Sequence, residues 1–313
     1  MEKKTCWILT GPTASGKTSL SIRLAKAHHC EIICMDSMQI YKGMDIGTAK
    51  PTAAEMDGIP HHMLDVVAPT ESFSVAEYQQ RAEAVADDIF ARGKQPLFVG
   101  GTGLYLRALR HPMAMGQVSG DQALRDELEA IADTPGGKER LHAELETVDP
   151  VTAARLHLND VRRVVRALEV YRLTGTPFSQ QPHVEEEPPF HYRVATLNMD
   201  RAILYDRIEQ RVDIMLRDGL IEEVRALLAS GVPEDAQALK GLGYKEIIPF
   251  LKGEWSLDKA VYELKKGTRH YAKRQLTWMR REEDVLWVEA LESNAYDALE
   301  AWFTQGGNED DHC

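Results

Sequence analysis

Short apolar runs alternate with longer amphipathic stretches over the first hundred residues. Residues 6–9, 31–34 and 96–99 are too short for helices and are flanked by turn formers, so they predict strands. Residues 19–27 and 74–92 have apolar positions at helical spacing and predict helices; the second opens with Ser74 three residues before Glu77, a capping-box spacing, and closes at Gly93. This order predicts an α/β fold, a parallel sheet flanked by helices. From about 121 to 172 the pattern is purely helical, with Asp149-Pro150 and Asn159-Asp160 as helix openings. It ends in a breaker-rich stretch, 175–189, holding Pro177, Pro182, Pro188, Pro189 and the acidic run Glu185-Glu186-Glu187. A strand pattern returns at 192–199, helices follow from Asp200, from about 220 and from Ser256, and residues 284–289 and 295–303 predict a last strand and helix. The polar tail, 308–313, is expected to be disordered. The expected organisation is a core in two parts, 1–118 and 191–313, around an inserted all-helical domain with its return linker, 119–190.

Composition narrows the class. A chain of 313 residues with 43% hydrophobic content buries a sizeable core. The charged start leads into an apolar run too short for a signal peptide or a membrane span, which predicts a cytoplasmic protein. Cys6, Cys30, Cys34 and Cys313 form no CxxC pair, so neither a disulfide nor a structural metal is expected. A net charge of −12 disfavours a nucleic-acid partner when taken as a total. Its distribution changes the picture. Residues 265–281 include Lys265, Lys266, Arg269, His270, Lys273, Arg274, Arg280 and Arg281 and no acid, and a second basic cluster is formed by Arg162, Arg163, Arg166 and Arg172. Such runs are either solvated helix faces or phosphate-contacting surfaces.

One motif carries chemistry directly. Gly11-Pro12-Thr13-Ala14-Ser15-Gly16-Lys17-Thr18 fits GxxxxGK[ST] and lies between a predicted strand and a predicted helix, the P-loop context. In that geometry backbone amides and the helix N-terminus bind phosphate oxygens, Lys17 adds a charge and Thr18 is a candidate Mg²⁺ ligand. The predicted strand at 96–99 ends in Gly100-Gly101-Thr102-Gly103, without the Asp that holds Mg²⁺ in hydrolytic P-loop proteins. The nearest carboxylate is Asp36, just past the second strand. Ligands of open α/β sheets bind at the carboxyl ends of strands, so Asp36 and Thr102 should face the P-loop crevice, although an Asp in that place also serves as a turn cap. A small-molecule or nucleotide kinase and an RNA-binding NTPase use the same loop; the absent strand-end Asp and the long basic C-terminal helix count against the kinase.

Several segments in order resemble the bacterial tRNA dimethylallyltransferase (tRNA isopentenyltransferase) family. They are Gly11 to Thr18, Asp36-Ser37-Met38-Gln39-Ile40-Tyr41, Met44-Asp45-Ile46-Gly47-Thr48-Ala49-Lys50-Pro51, Pro60-His61-His62 and Gly100 to Tyr105. Further along they are Asn159 to Arg163, Arg166 to Glu169, Gly241 to Tyr244, and Thr268 to Trp278. The resemblance implies transfer of a dimethylallyl group from dimethylallyl diphosphate to N6 of the adenine 3′ of the anticodon. By that resemblance Asp36 is the general base, Thr102 and Arg211 share the catalytic site, the P-loop residues bind diphosphate, and Mg²⁺ is the cofactor. The resemblance places tRNA contacts on Asp36, Ser37, Met38, Gln39, Thr102 and Arg125, and on Asp160, Val161, Arg162, Arg163 and Val164. It adds Gly241, Leu242, Gly243, Tyr244, Lys245 and Glu246, then Arg274, Gln275, Leu276, Thr277, Trp278, Met279, Arg280 and Arg281. Both basic clusters thereby become candidate tRNA surfaces. Reaching a stacked base requires extruding it into the protein. The adjacent His61 and His62 point in different directions and are read as structural.

Overall fold

The computed structural model describes residues 3–111, 120–181 and 187–305. Cys313, the polar tail and most of the acidic run at 185–187 lie outside these. Six strands form one parallel sheet: β1 (Thr5–Thr10), β2 (Cys30–Cys34), β3 (His61–His62), β4 (Gln95–Val99), β5 (His191–Asn198) and β6 (Val285–Glu289), in the order β3-β2-β4-β1-β5-β6. The central strands have buried side chains on both faces, as Ile8, Leu9, Leu97 and Phe98 do, which is why they read as continuous apolar runs rather than alternating ones.

The sheet is flanked by α1 (Lys17–Ala27), α2 (Ala53–Met56), α3 (Val75–Ala91) and α4 (Gly103–Arg110). After the insertion come α9 (Arg201–Arg217), α10 (Leu220–Ala229), α11 (Tyr244–Leu251), α12 (Leu257–Met279) and α13 (Ala295–Thr304). The expected caps form: Ser74 and Glu77 make a reciprocal capping box, Asp200 accepts the amides of Ala202 and Ile203, and Ser256 accepts that of Lys259. The structure adds elements that periodicity did not mark. β3 is only two residues long, α2 only four, and α11 is eight residues long with Pro249 inside it, lengths at which no period accumulates.

Residues 3–111 and 188–305 form one compact unit. The other, within 112–187, contains α5 (Gln122–Ala132), α6 (Gly137–Val148), α7 (Pro150–Ala153) and α8 (Val161–Thr174). It has its own core of Leu128, Leu141, Leu145, Val164, Val165 and Leu168, all at most 2% exposed. Buried Asp149 ties the start of α7 to the turn that follows α8 by accepting the amides of Thr152 and Ser179 and the hydroxyls of both. Among the described residues Cys6, Cys30 and Cys34 are free, buried thiols, and no helix is long and apolar enough to cross a membrane.

Because the α/β unit and the helical unit each contain a separate buried cluster, replacing 112–187 by a short flexible linker is expected to leave the α/β unit folded. Circular dichroism with a cooperative melt checks this, and an insoluble or unfolded product would show that the insertion completes the core.

Candidate active site

The chain leaves β1 at Thr10 and turns through the P-loop with positive φ at Ala14 (65°) and Gly16 (92°). Backbone of this kind makes an anion-binding concavity of amides. Helix α1 then starts at Lys17 with no side-chain cap, so its first amides stay available to a ligand. The Ser15 hydroxyl is buried without a hydrogen-bond partner and belongs to a residue lining the cavity. Lys17 Nζ donates to the carbonyls of Gly11 (2.9 Å) and Pro12 (2.8 Å). Burial, reinforced by the Arg211 charge and opposed by Asp36, pulls the Lys17 pKa down to about 7.

Two cavities open on this region. The larger, about 490 Å³, is lined by the P-loop, the ends of β2 and β4, and residues 48, 49 and 51. The smaller, about 250 Å³, is lined by Ser37, Met38, Val212, Met215, Gly241, Leu242, Lys245, Leu264, Tyr271 and Arg274, among others. Thr13, Asp36, Thr48, Ala49 and Arg211 line both. Asp36 therefore stands where a phosphate-side cavity and a mostly apolar, cation-edged cavity share a wall.

Asp36 caps a turn as well as facing the crevice: Oδ1 accepts the Met38 amide at 2.8 Å. Burial raises its pKa, partly offset by the Met38 and Gln39 amides and by the charges of Lys17 and Arg211. A carboxyl held in this way is a better proton acceptor than one in water. Arg211 reaches in from α9 and donates to Thr13 Oγ1 at 3.2 Å. One turn earlier Arg207 donates to the Ala14 carbonyl at 2.8 Å, fixing α9 against the loop. Sequence reasoning missed Arg207; the signal was its spacing of four from Arg211, which puts both on one helix face.

Thr102 and Gln275 both tie backbone segments around the crevice together. Thr102 lines neither cavity; its hydroxyl oxygen accepts the Ser37 amide at 3.0 Å, so it holds the turn that carries Asp36. Gln275, 4% exposed on α12, accepts the Thr13 amide at 2.8 Å and donates to the Gly101 carbonyl at 3.0 Å. It staples the P-loop to the turn after β4. A Cβ at position 101 would stand 2.1 Å from Gln275 Nε2, which accounts for that glycine.

The segments expected to contact tRNA divide by burial. Tyr244, Glu246, Met279 and Val164 are at most 5% exposed, so their side chains pack within the protein. Trp278 is half-buried over Gly103, where a Cβ would stand 2.6 Å from its own. Leu276 is half-buried and Thr277 exposed. On α12 three cations of the basic run are paired internally, Lys265 with Asp213, Lys266 with Glu263 and Arg269 with Glu209. Lys273, Arg274, Arg280 and Arg281 are exposed and form no ion pair with a described residue.

In the helical unit Arg125 and Arg166 both pair with buried Glu169, and Arg172 with Glu127 and Glu144. Arg162 and Arg163 are the exposed cations of this cluster, beside exposed Asp160. His61 bonds the Ile59 carbonyl and His62 bonds Glu31, and no group of three His, Cys, Asp or Glu among the described residues is arranged to hold a metal.

The sequence profile of the family described as IPP transferase matches residues 39–282. The chain belongs to this family. It is 46% identical over 296 residues to a tRNA dimethylallyltransferase of Thermoanaerobacter sp. (strain X514), covering 93% of this chain and 94% of the relative. A second relative of the same name, from Desulforudis audaxviator (strain MP104C), is 50% identical over 286 residues, 91% and 92% of the two chains. Among solved structures, the tRNA isopentenylpyrophosphate transferase of Bacillus halodurans superposes with a TM-score of 0.71 at 41% identity, over 97% and 98% of the chains. A eukaryotic dimethylallyltransferase acting on tRNA gives 0.78 at 29% identity, over 95% of this chain and 77% of that one.

A Lys17 pKa near 7 has a definite sign in this family's site: the ammonium is lost as pH rises through about 7 in the free protein, and a bound anion restores it. Diphosphate binding above pH 7 is therefore expected to take up protons. Titration calorimetry in buffers of different ionisation enthalpy measures that uptake, and a binding enthalpy independent of buffer would contradict it.

Proposed function

We propose that this chain transfers the dimethylallyl group of dimethylallyl diphosphate to N6 of the adenine 3′ of the anticodon in tRNA, releasing diphosphate. The reading is supported above all by Asp36, a carboxylate with a raised pKa on the wall shared by the phosphate-side cavity and the smaller cavity. The diphosphate sits on the P-loop amides, Lys17 and Arg211, which stabilise charge as it leaves. The extruded adenine enters from the smaller cavity, past Arg274 and Lys245. The N6 lone pair forms the new bond to the allylic carbon while the carbon–oxygen bond to diphosphate breaks, its electrons leaving with the diphosphate. The N6 proton passes to Asp36.

Thr18, on the cavity wall beside Lys17, fits a hard cation that takes its other ligands from phosphate oxygens and water. Bound Mg²⁺ would neutralise the leaving diphosphate. Lys273, Arg274, Arg280, Arg281, Arg162 and Arg163 are the cations available to tRNA phosphates. A cytoplasmic location follows from a tRNA substrate. A kinase is disfavoured by the glycines, without an Asp, that follow β4 and by the mostly apolar lining of the second cavity.

Asp36→Asn retains the size of the side chain and its acceptor to Met38 but cannot take the proton, so single-turnover transfer is expected to fall by roughly 10²- to 10⁴-fold with dimethylallyl diphosphate binding retained. Rapid quench of enzyme-bound substrates reads the rate, and near wild-type transfer would reduce Asp36 to a turn residue.

A further inference from the structure

Glu223, on α10, lines neither cavity, yet one carboxylate takes four donors. Its Oε2 accepts the amides of Asp45 (2.8 Å) and Ile46 (2.7 Å), and its Oε1 accepts the Gly47 amide (3.0 Å) and the Tyr244 hydroxyl (2.6 Å). Three consecutive amides converging on one anion are charge-assisted bonds that hold a loop in one conformation. The next two residues, Thr48 and Ala49, line both cavities.

The loop is held from its other side as well. Gln39 Nε2 donates to the carbonyls of Thr48 and Ala49, both at 3.1 Å, and Lys50 Nζ donates to the Tyr41 carbonyl and to Asp45 and Asp65. Gly47 lies on the Tyr244 ring, where a Cβ would come within 2.6 Å. Glu223 is thus the anchor at one end of a short wall whose other end shares the shell of Asp36.

We propose that Glu223 is a positioning residue that fixes residues 45–49 as the wall beside Asp36, so that the allylic carbon meets the acceptor nitrogen and not water. This rests on the prenyl-transfer reading. In the competing reaction a water oxygen bonds to the allylic carbon, the carbon–oxygen bond to diphosphate breaks, and the water proton goes to solvent, giving dimethylallyl alcohol. Keeping water from the reacting centre is what a fixed wall provides.

The test uses the full chain with unmodified tRNA and dimethylallyl diphosphate, and measures how consumed diphosphate ester divides between prenylated tRNA and dimethylallyl alcohol. Glu223→Gln presents an amide donor to backbone donors. It is expected to raise the alcohol-to-transfer ratio by about ten- to a hundredfold, while inorganic pyrophosphate binds as in the wild type. Gly47→Ala disturbs the same wall from the Tyr244 side while keeping the Glu223 carboxylate and should shift the ratio in the same direction; it carries the test if Glu223→Gln does not fold. Glu223→Asp, which keeps the charge, should recover part of the wild-type ratio. A wild-type ratio in Glu223→Gln or in Gly47→Ala overturns the proposal while leaving prenyl transfer intact. Wild-type protein that forms neither product overturns the transfer reading beneath it.

Discussion

A carboxylate has to remain ionisable in a place where burial opposes its charge, and that constraint at Asp36 organises the surrounding chain. Burial raises the Asp36 pKa, and the Met38 and Gln39 amides with the Lys17 and Arg211 charges pull it back. The same proximity acts on Lys17, whose ammonium is weakened by burial and by Arg211 and supported by Asp36. An anion bound on the P-loop would lie beside the Lys17 and Arg211 charges and offset the burial that opposes them.

The backbone around this group is held by long-range bonds from helices far along the chain. Arg207 and Arg211 reach the P-loop from α9, Gln275 joins it to the turn after β4 from α12, and Glu223 holds residues 45–47 from α10. The P-loop thus depends on the second half of the chain for its position. α12 also carries the exposed cations Lys273 and Arg274, with Arg280 and Arg281 just past its end, so the helix that presents these charges is the one stapled to the P-loop.

The parallel sheet and its helices were legible because β1, β2, β4 and β5 are buried runs of strand length and because the caps at Ser74, Asp200 and Ser256 are local signals. The P-loop was legible for the same reason, since its geometry is set by eight adjacent residues, from Gly11 to Thr18. β3 and α11 were not, being too short for a period to show. The partners of Gln275 and Glu223 were also hidden: each bonds residues more than 170 positions away, and nothing in the local pattern separates a stapling Gln from a surface one. The partners of the basic runs were hidden in the same way: Asp213, Glu209 and Glu144, which pair with Lys265, Arg269 and Arg172, come from other helices.

The most direct measurement of the central claim is mass analysis of anticodon-loop nucleosides after the protein has been incubated with unmodified tRNA, dimethylallyl diphosphate and Mg²⁺. The account predicts an adenosine heavier by one dimethylallyl group at the position 3′ of the anticodon, with one diphosphate released for each group transferred. Folded protein that binds both substrates and leaves that adenosine unmodified would contradict it.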